Sequence, residues 1–312
     1  MNYPQLSDED IRALFKRAGL GQVGRIEKID VGWSNDVYSV DDRFILKAER
    51  SPGDEEALLK EMFVLNLFKG KLPVPVVIYS DNAKSLIDRV YFIYEKIEGV
   101  NLYEKWHEYT VSERKGIVEE LCRFLRVIHA EPYEGFAERF HVDTTRSWKD
   151  IMLGKIEAAI AKIPDRAVLP EALIEKVRMF LSKHEGSLDE SRLALTYYDL
   201  HFDNVLVKDT RVTGLLDLER ADVMSIDYTL DLVKRMVDFP LKYASDKSKP
   251  FVKVKGYKDL MEYYREFYPE LFAFNDLETR LKIYAIEYDL GTLFWWPEHE
   301  QLRTNIIANS TL

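Results

Sequence analysis

The sequence predicts an α+β fold in two parts: a small strand-rich N-terminal lobe over residues 1–97, and a larger, mainly helical lobe over 98–312. Three observations predict it. Short apolar runs separated by turn residues fill the chain before Gly99. After Gly99 the apolar spacing changes to the helical period. One strand-like island, Leu193 to Leu218, interrupts the helices. Runs of strands followed by runs of helices are the pattern of an α+β chain.

The elements follow in order. Ser7 to Arg17 reads as a helix, because Ser7 and Asp10 have capping-box spacing and Ile11, Leu14 and Phe15 share one face. Strand-like runs cover Ile26 to Ile29, Val37 to Val40 and Phe44 to Leu46, divided by Gly32-Trp33-Ser34-Asn35 and by Asp41-Asp42. A helix from about Asp54 to Phe68 places Leu58, Met62 and Leu65 on one face, and Pro73 and Pro75 end it. Val76 to Tyr79 and Val90 to Lys96 complete an antiparallel sheet. Helices are then expected at Val111–His129, Trp148–Ile163, Pro170–His184, Tyr228–Val237, Lys258–Tyr268 and Leu277–Tyr288.

Composition narrows the function. Of 312 residues, 46% are hydrophobic and 31% charged, which suits a folded core and excludes a disordered chain. The net charge of −10 argues against nucleic acid or an anionic membrane surface as partner, since both call for a basic face. The single cysteine, Cys122, permits neither a disulfide framework nor a cysteine zinc cluster. It is expected as a small buried hydrophobe. No apolar run approaches the ~18–20 residues of a membrane span, and the first twenty residues lack a signal-peptide core. The expected location is cytoplasmic. Gly19-Leu20-Gly21-Gln22-Val23-Gly24 fits G-x-G-x-x-G, but a helix precedes it and a strand follows. That is the reverse of a dinucleotide site, so the segment is read as a helix end and turn.

The chemistry lies in Tyr197-Tyr198-Asp199-Leu200-His201-Phe202-Asp203-Asn204 and in Leu216-Asp217-Leu218-Glu219. Leu206 and Leu215-Leu216 read as the halves of a hairpin whose turn falls near Asp209 to Thr213. Closing it brings Asn204 and Asp217 to a common point, with Asp199 on the loop that enters. That set suits phosphoryl transfer. Mg²⁺ takes hard oxygen ligands beside the nucleotide phosphates, from Asp217 as a carboxylate and Asn204 as an uncharged amide. Asp199 is placed as the catalytic base for the attacking hydroxyl.

Asp199-x-His201-x-x-Asn204 followed by Leu216-Asp217-x-Glu219 resembles the aminoglycoside phosphotransferase and choline kinase superfamily, whose members have a bilobal protein-kinase-like fold. Members typically read His-Gly-Asp-x-His-Pro-x-Asn, then Ile-Asp-Trp-Glu. The resemblance implies that Lys47, ending Phe44-Ile45-Leu46-Lys47, pairs with the α- and β-phosphates, with Glu61 as its acidic partner. It implies a hinge at Tyr94-Glu95-Lys96-Ile97 whose backbone holds the base, and hence Glu95 and Ile97 as nucleotide-binding positions. Ser34 and Asn35 would belong to a turn covering the phosphates. Asp227 and Asp231 resemble the acidic positions after the metal aspartate, at least one of them structural. Departures are Tyr197-Tyr198 for His-Gly, Phe202-Asp203 for Pro-Gly and Leu218 for Trp.

The remaining residues stay open at this stage. His201 either approaches the γ-phosphate or supports the loop. Asp203 is expected as a solvated loop carboxylate. His129 is expected as a core or capping histidine. From Asp259 to Glu300 there are ten acidic and three basic residues, interleaved with Tyr284, Tyr288, Phe294, Trp295 and Trp296. Acidic and aromatic groups favour a cationic ligand, so Glu287, Asp289 and Trp295 are candidate acceptor contacts; a solvated helix face with aromatics in the core is the alternative. The expected function is ATP- or GTP-dependent transfer of phosphate to a hydroxyl of an amine-bearing or polyhydroxylated small molecule. The alternative is a nucleotide-binding regulatory protein without turnover.

Overall fold

The computed structural model describes residues 3–29 and 35–311. In chain order its elements are α1 (Asp8–Arg17), β1 (Ile26–Ile29), β2 (Asn35–Val40), β3 (Phe44–Glu49), α2 (Glu55–Phe68), β4 (Val77–Asp81), β5 (Tyr91–Glu95), β6 (Val100–Asn101), α3 (Leu102–Lys105), α4 (Val111–His129), α5 (Glu134–Arg139), α6 (Trp148–Lys162), α7 (Glu171–His184), β7 (Leu193–Tyr197), β8 (Val205–Lys208), β9 (Arg211–Leu215), β10 (Ala221–Ser225), α8 (Thr229–Asp238), α9 (Leu260–Phe267), α10 (Leu277–Trp295) and α11 (Glu300–Asn309). The chain divides into two compact units that do not follow a cut at 97/98. Met1–Ile128, Tyr197–Ala221 and Met236–Asp259 form the first, and His129–Thr196, Asp222–Arg235 and Leu260–Leu312 the second.

In the first unit a five-stranded sheet has the order β1-β2-β3-β5-β4, with antiparallel neighbours throughout. β3 is central and wholly buried. Period-2 alternation sends Phe44, Leu46 and Ala48 into a core with Ile11, Leu14 and Phe15 of α1, and turns Lys47 to the opposite face. The expected capping box holds α1: Ser7 Oγ accepts from the Asp10 amide at 3.1 Å and the Asp10 carboxylate accepts from the Ser7 amide at 2.9 Å. Behind that helix Gly19 (φ 72°) and Gly21 (φ 85°) turn the chain into β1, so the glycine-rich segment is a helix end and turn. α4 begins on a second capping box between Thr110 and Glu113. Its buried Glu120 holds the β8–β9 hairpin by accepting from the Val212 amide and the Arg211 guanidinium, each at 2.8 Å.

The second unit is helical apart from the β7–β10 pair. At its centre Asp227 takes both arms of Arg280, at 2.7 and 2.9 Å, with neither side chain exposed. Ser225 and Tyr284 hydroxyls donate to the same carboxylate at 2.5 and 2.8 Å, and Arg280 Nη1 donates to the Ser187 and Glu190 carbonyls. A second buried set links Asp231 and Asp289 to Arg235, at 2.7 and 2.8 Å. Asp227 and Asp231, the two acidic positions after Asp217, are therefore each bound to a buried arginine in the helical core.

Some boundaries differ from expectation. The hairpin turn shrinks to Asp209-Thr210, because Asp209 takes a left-handed conformation (φ 56°) that short polar side chains tolerate. α10 runs past Tyr288 to Trp295: Gly291 costs a helix only ~1 kcal/mol, while Leu290 and Leu293 are fully buried. α5, α11 and β10 were not expected. Among the described residues no helix is long and apolar enough to cross a membrane.

Candidate active site

Lys47 faces α2, where Leu58, Met62, Leu65 and Phe68 form an apolar stripe interrupted by Glu61. A carboxylate buried in such a stripe needs a counter-charge. Glu61 finds it in Lys47 Nζ, 2.6 Å from Oε2. The same nitrogen lies 2.6 Å from Asp217 Oδ1 and 3.5 Å from Glu219 Oε2. Oxygens of Glu61, Asp217 and Glu219 all fall within 4.8 Å of one another. Three carboxylates thus share one ammonium. Burial alone would lower the Lys47 pKa, but Asp217, Glu61 and Glu219 overcome it and hold the group well above its usual value. Glu61 is lifted to about 7: burial outweighs the pull of Lys47, and Asp217 and Glu219 add to it.

The hairpin delivers Asp217. Val205 pairs with Leu215, and the Leu216 amide donates to the Asn204 carbonyl at 2.8 Å, so the two strand ends meet. Asp217 then adopts φ 61° and ψ 52°, a left-handed conformation uncommon outside glycine, which turns the chain into the short 3₁₀ segment Leu218–Arg220. That segment carries Glu219, which accepts from Asn35 Nδ2 at 2.6 Å.

Asp199 lies on a tightly tied loop. Its carbonyl accepts from the His201 amide at 2.8 Å and from Asn204 Nδ2 at 2.9 Å, and the Asn204 amide donates to the His201 carbonyl at 2.9 Å. His201 Nε2 is 3.2 Å from Asn204 Nδ2 and 3.9 Å from Asp199 Oδ1. Arg220 Nε is 3.9 Å from Asp199 Oδ2. Below the loop the Tyr197 phenol donates to the Leu216 carbonyl at 2.5 Å. The two aspartates are driven apart in acidity. Burial raises Asp199 despite His201 and Arg220, whereas for Asp217 the Lys47 ammonium overrides burial and lowers it. A more basic carboxylate beside a firmly ionised one is the division of labour that a base and a cation ligand require.

The other expected positions are distributed as follows. Asn35 reaches the Lys47 cluster through Glu219, and Ser34 lies outside the described residues. Glu95 closes β5 with an exposed side chain 3.5 Å from Arg43. Ile97 packs so close to Gly214 that a Cβ there would lie 3.2 Å from Ile97 Cγ2. Asp203 is not a solvated carboxylate: it accepts from the Ser245 amide and the Ser248 hydroxyl, each at 2.5 Å, because the 3₁₀ turn Phe202–Asn204 aims it at that segment. In the second unit Glu287 accepts from the Tyr228 hydroxyl at 2.6 Å, and Trp295 is 71% exposed. Asp289 is 1% exposed and bound to Arg235, so its charge is spent inside the helical core rather than offered to a ligand. Sequence reasoning left Glu219 and Arg220 out of the site. The Asp-x-Glu spacing was the available signal, because a 3₁₀ turn after Asp217 returns Glu219 to Lys47.

A family model of the phosphotransferase enzyme family matches residues 25–234. The chain belongs to that family. Its fold is the kinase-like fold of solved aminoglycoside phosphotransferases. ADP-bound APH(2'')-Ib superposes with a TM-score of 0.69 at 16% identity, over 98% of this chain and 97% of that one. The streptomycin–ATP complex of APH(2'')-IIa gives 0.67 at 17% identity, over 92% and 91%. The GDP complex of aminoglycoside 2'-phosphotransferase-IIIa gives 0.66 at 17% identity, over 98% and 99%. No curated protein sequence matches the chain. Family and fold together make this a phosphotransferase with the kinase-like fold.

Proposed function

We propose that this protein transfers the γ-phosphoryl group of ATP or GTP to a hydroxyl of a small molecule that is polyhydroxylated or amine-bearing. The observation that carries this reading is the meeting of the two strand ends: the Leu216-to-Asn204 bond of 2.8 Å sets Asn204 beside Asp217, while the Asn204 amide clasps the carbonyl of Asp199.

The roles follow from the chemistry of each group. Asp199, made more basic by burial, accepts the proton of the attacking hydroxyl. His201 supports the loop through Asn204. Lys47, kept cationic by three carboxylates, binds the α- and β-phosphates. Backbone groups of Glu95 to Ile97 hold the base, with Asn35 at the covering turn. The hard oxygens of Asp217 and Asn204 fit Mg²⁺, and an excess of carboxylate over ammonium favours a divalent cation at this place. Bound there, magnesium would neutralise phosphate charge. For the acceptor, solved relatives hold streptomycin and gentamicin. By analogy the acceptor here is an amino sugar or a comparable alcohol.

The test is a thermal-shift screen with MgATP and MgGTP, followed by labelled-phosphate transfer to a panel of amines and sugars. Wild type is expected to bind nucleotide and to label at least one alcohol. Asp199→Ala should keep binding and lose transfer. Binding without transfer to any acceptor would favour a regulatory protein instead.

A further inference from the structure

The 3₁₀ turn Phe202–Asn204 gives three consecutive side chains three separate tasks, all within the first unit. Phe202 is fully buried in an aromatic cluster with Tyr103, Trp106 and Tyr257, at centroid separations of 5.4, 4.8 and 5.9 Å. Asn204 folds back over the loop to Asp199 and His201. Asp203, between them, is gripped by the segment that follows α8. Its Oδ2 accepts from the Ser245 amide at 2.5 Å. Its Oδ1 accepts from Ser248 Oγ at 2.5 Å and, more loosely, from Ser245 Oγ at 3.3 Å. The two hydroxyls are also 3.2 Å apart, so clamp and carboxylate form one connected network.

The same segment is fixed at its far end. Trp106 Nε1 donates to the Gly256 carbonyl at 2.8 Å, and Tyr257 enters the cluster that holds Phe202. Residues 245–257 are thus fastened to the catalytic turn by a charged contact at one end and an aromatic plug at the other. The Phe202-Asp203 pair is where this chain departs from the family's Pro-Gly. Neither of those residues offers a carboxylate or an aromatic ring.

We propose that Asp203 is a positioning residue: with Ser245 and Ser248 it sets the rotation of the 202–204 turn, and so the direction in which Asn204 presents its amide oxygen. It touches neither nucleotide nor acceptor. The inference rests on the phosphotransferase reading above, because it concerns the cation that Asn204 is held to bind. A carboxylate accepting from a backbone amide and a hydroxyl makes charge-assisted bonds, stronger than neutral ones and therefore better at fixing a geometry. The segment 245–248 becomes part of the catalytic apparatus through this contact.

The experiment is calorimetric titration of ATP and of GTP against the full chain, in EDTA and over a range of Mg²⁺ concentrations. It uses wild type, Asp203→Ala, Ser248→Ala, Ser245→Ala and Asp203→Ala/Ser248→Ala, with melting curves for each. In wild type, magnesium should tighten nucleotide binding. Losing one charge-assisted bond, about 1–2 kcal/mol, corresponds to roughly a five- to thirtyfold change. Ser248→Ala should raise the magnesium concentration for half-maximal nucleotide binding by about that factor, Asp203→Ala, which also loses the Ser245 amide bond, by at least as much, and both should leave binding in EDTA unchanged. The double variant should be no worse than Asp203→Ala, since the two residues act through one contact. Ser245→Ala keeps the backbone bond and loses only the 3.3 Å hydroxyl contact to Asp203, so its magnesium requirement should rise less than that of Ser248→Ala. A lower melting temperature with an unaltered magnesium requirement would show that the clamp only stabilises the fold, and would overturn the proposal. Additive effects of the two single changes would also overturn it. A wild type that binds neither nucleotide would remove the phosphotransferase reading and this one with it.

Discussion

Tyr197 donates its phenol hydrogen to the main-chain carbonyl of Leu216 at 2.5 Å, joining the strand that enters the Asp199 loop to the residue before Asp217. A histidine is usual at this place in the family. Tyr197→Phe keeps the ring and removes the donor, leaving a buried carbonyl without that partner at a cost of about 1–3 kcal/mol. Denaturant titration should show a loss in that range. Phosphate transfer should fall further than nucleotide affinity, because the bond aligns the two halves of the site. Tyr197→His restores a donor and should recover more transfer than the phenylalanine variant does.

Lys47 and its three carboxylates give an asymmetric prediction. Lys47→Met leaves Glu61, Asp217 and Glu219 facing one another without a counter-charge, and removing one member of a buried ionic set costs about 3–5 kcal/mol. Glu61→Gln removes one negative charge from a cluster that already has too many. Its stability should lie within about 1 kcal/mol of wild type. Urea denaturation of the two variants separates these outcomes. Equal losses would mean that the carboxylates do not share the ammonium.

Asp227 and Arg280 satisfy each other and the groups around them, so either alone is a buried charge in the wrong place. Asp227→Ala should destabilise by about 3–5 kcal/mol. The pair Asp227→Leu with Arg280→Met should recover most of that, since an apolar replacement of a whole ion pair is often neutral. Chemical denaturation of single and double variants measures the coupling. No change in nucleotide affinity is expected from either, because this pair belongs to the helical unit.

His129 supplies one pH-dependent contribution to stability. Burial lowers its pKa from the usual 6.5 to about 4, while Nδ1 lies 2.9 Å from the Tyr268 hydroxyl. The unfolded chain therefore takes up a proton at a higher pH than the folded one does. The His129 contribution is complete above pH 6.5, declines as the pH falls towards 4, and then levels, while Glu61, lifted to about 7, works in the opposite direction over the same range. A shift of that size amounts to up to about 3 kcal/mol. His129→Gln should lower the slope of stability against pH between 4.5 and 6.5 in melting curves relative to wild type, and an unchanged slope would show that His129 does not titrate in this way.

Much of this was legible in the sequence because local rules and tertiary contacts agree. Ser7 and Asp10 cap α1 as their spacing required, and the helix Val111–His129 begins and ends where the apolar period does. The central strand announced itself as an apolar run. What escaped depends on partners distant in sequence. Asp203 reads as a loop carboxylate until Ser245 and Ser248 come to it. Asp289 reads as an acidic helix residue until Arg235, 54 positions away, meets it in the core. Glu219 escapes because its approach to Lys47 requires the left-handed turn at Asp217, and aspartate's preference for that conformation is far weaker than glycine's.

On the phosphotransferase reading proposed above, the left-handed backbone at Asp217 sets local strain against turnover at a single codon. Glycine there would relieve strain of about 1–3 kcal/mol and delete the carboxylate in one step. Directed evolution for thermal survival alone therefore weighs that relief against the lost 2.6 Å bond to Lys47, and wherever glycine wins it returns molecules without the proposed metal ligand. A selection that demands product in every round is needed to keep the aspartate in place.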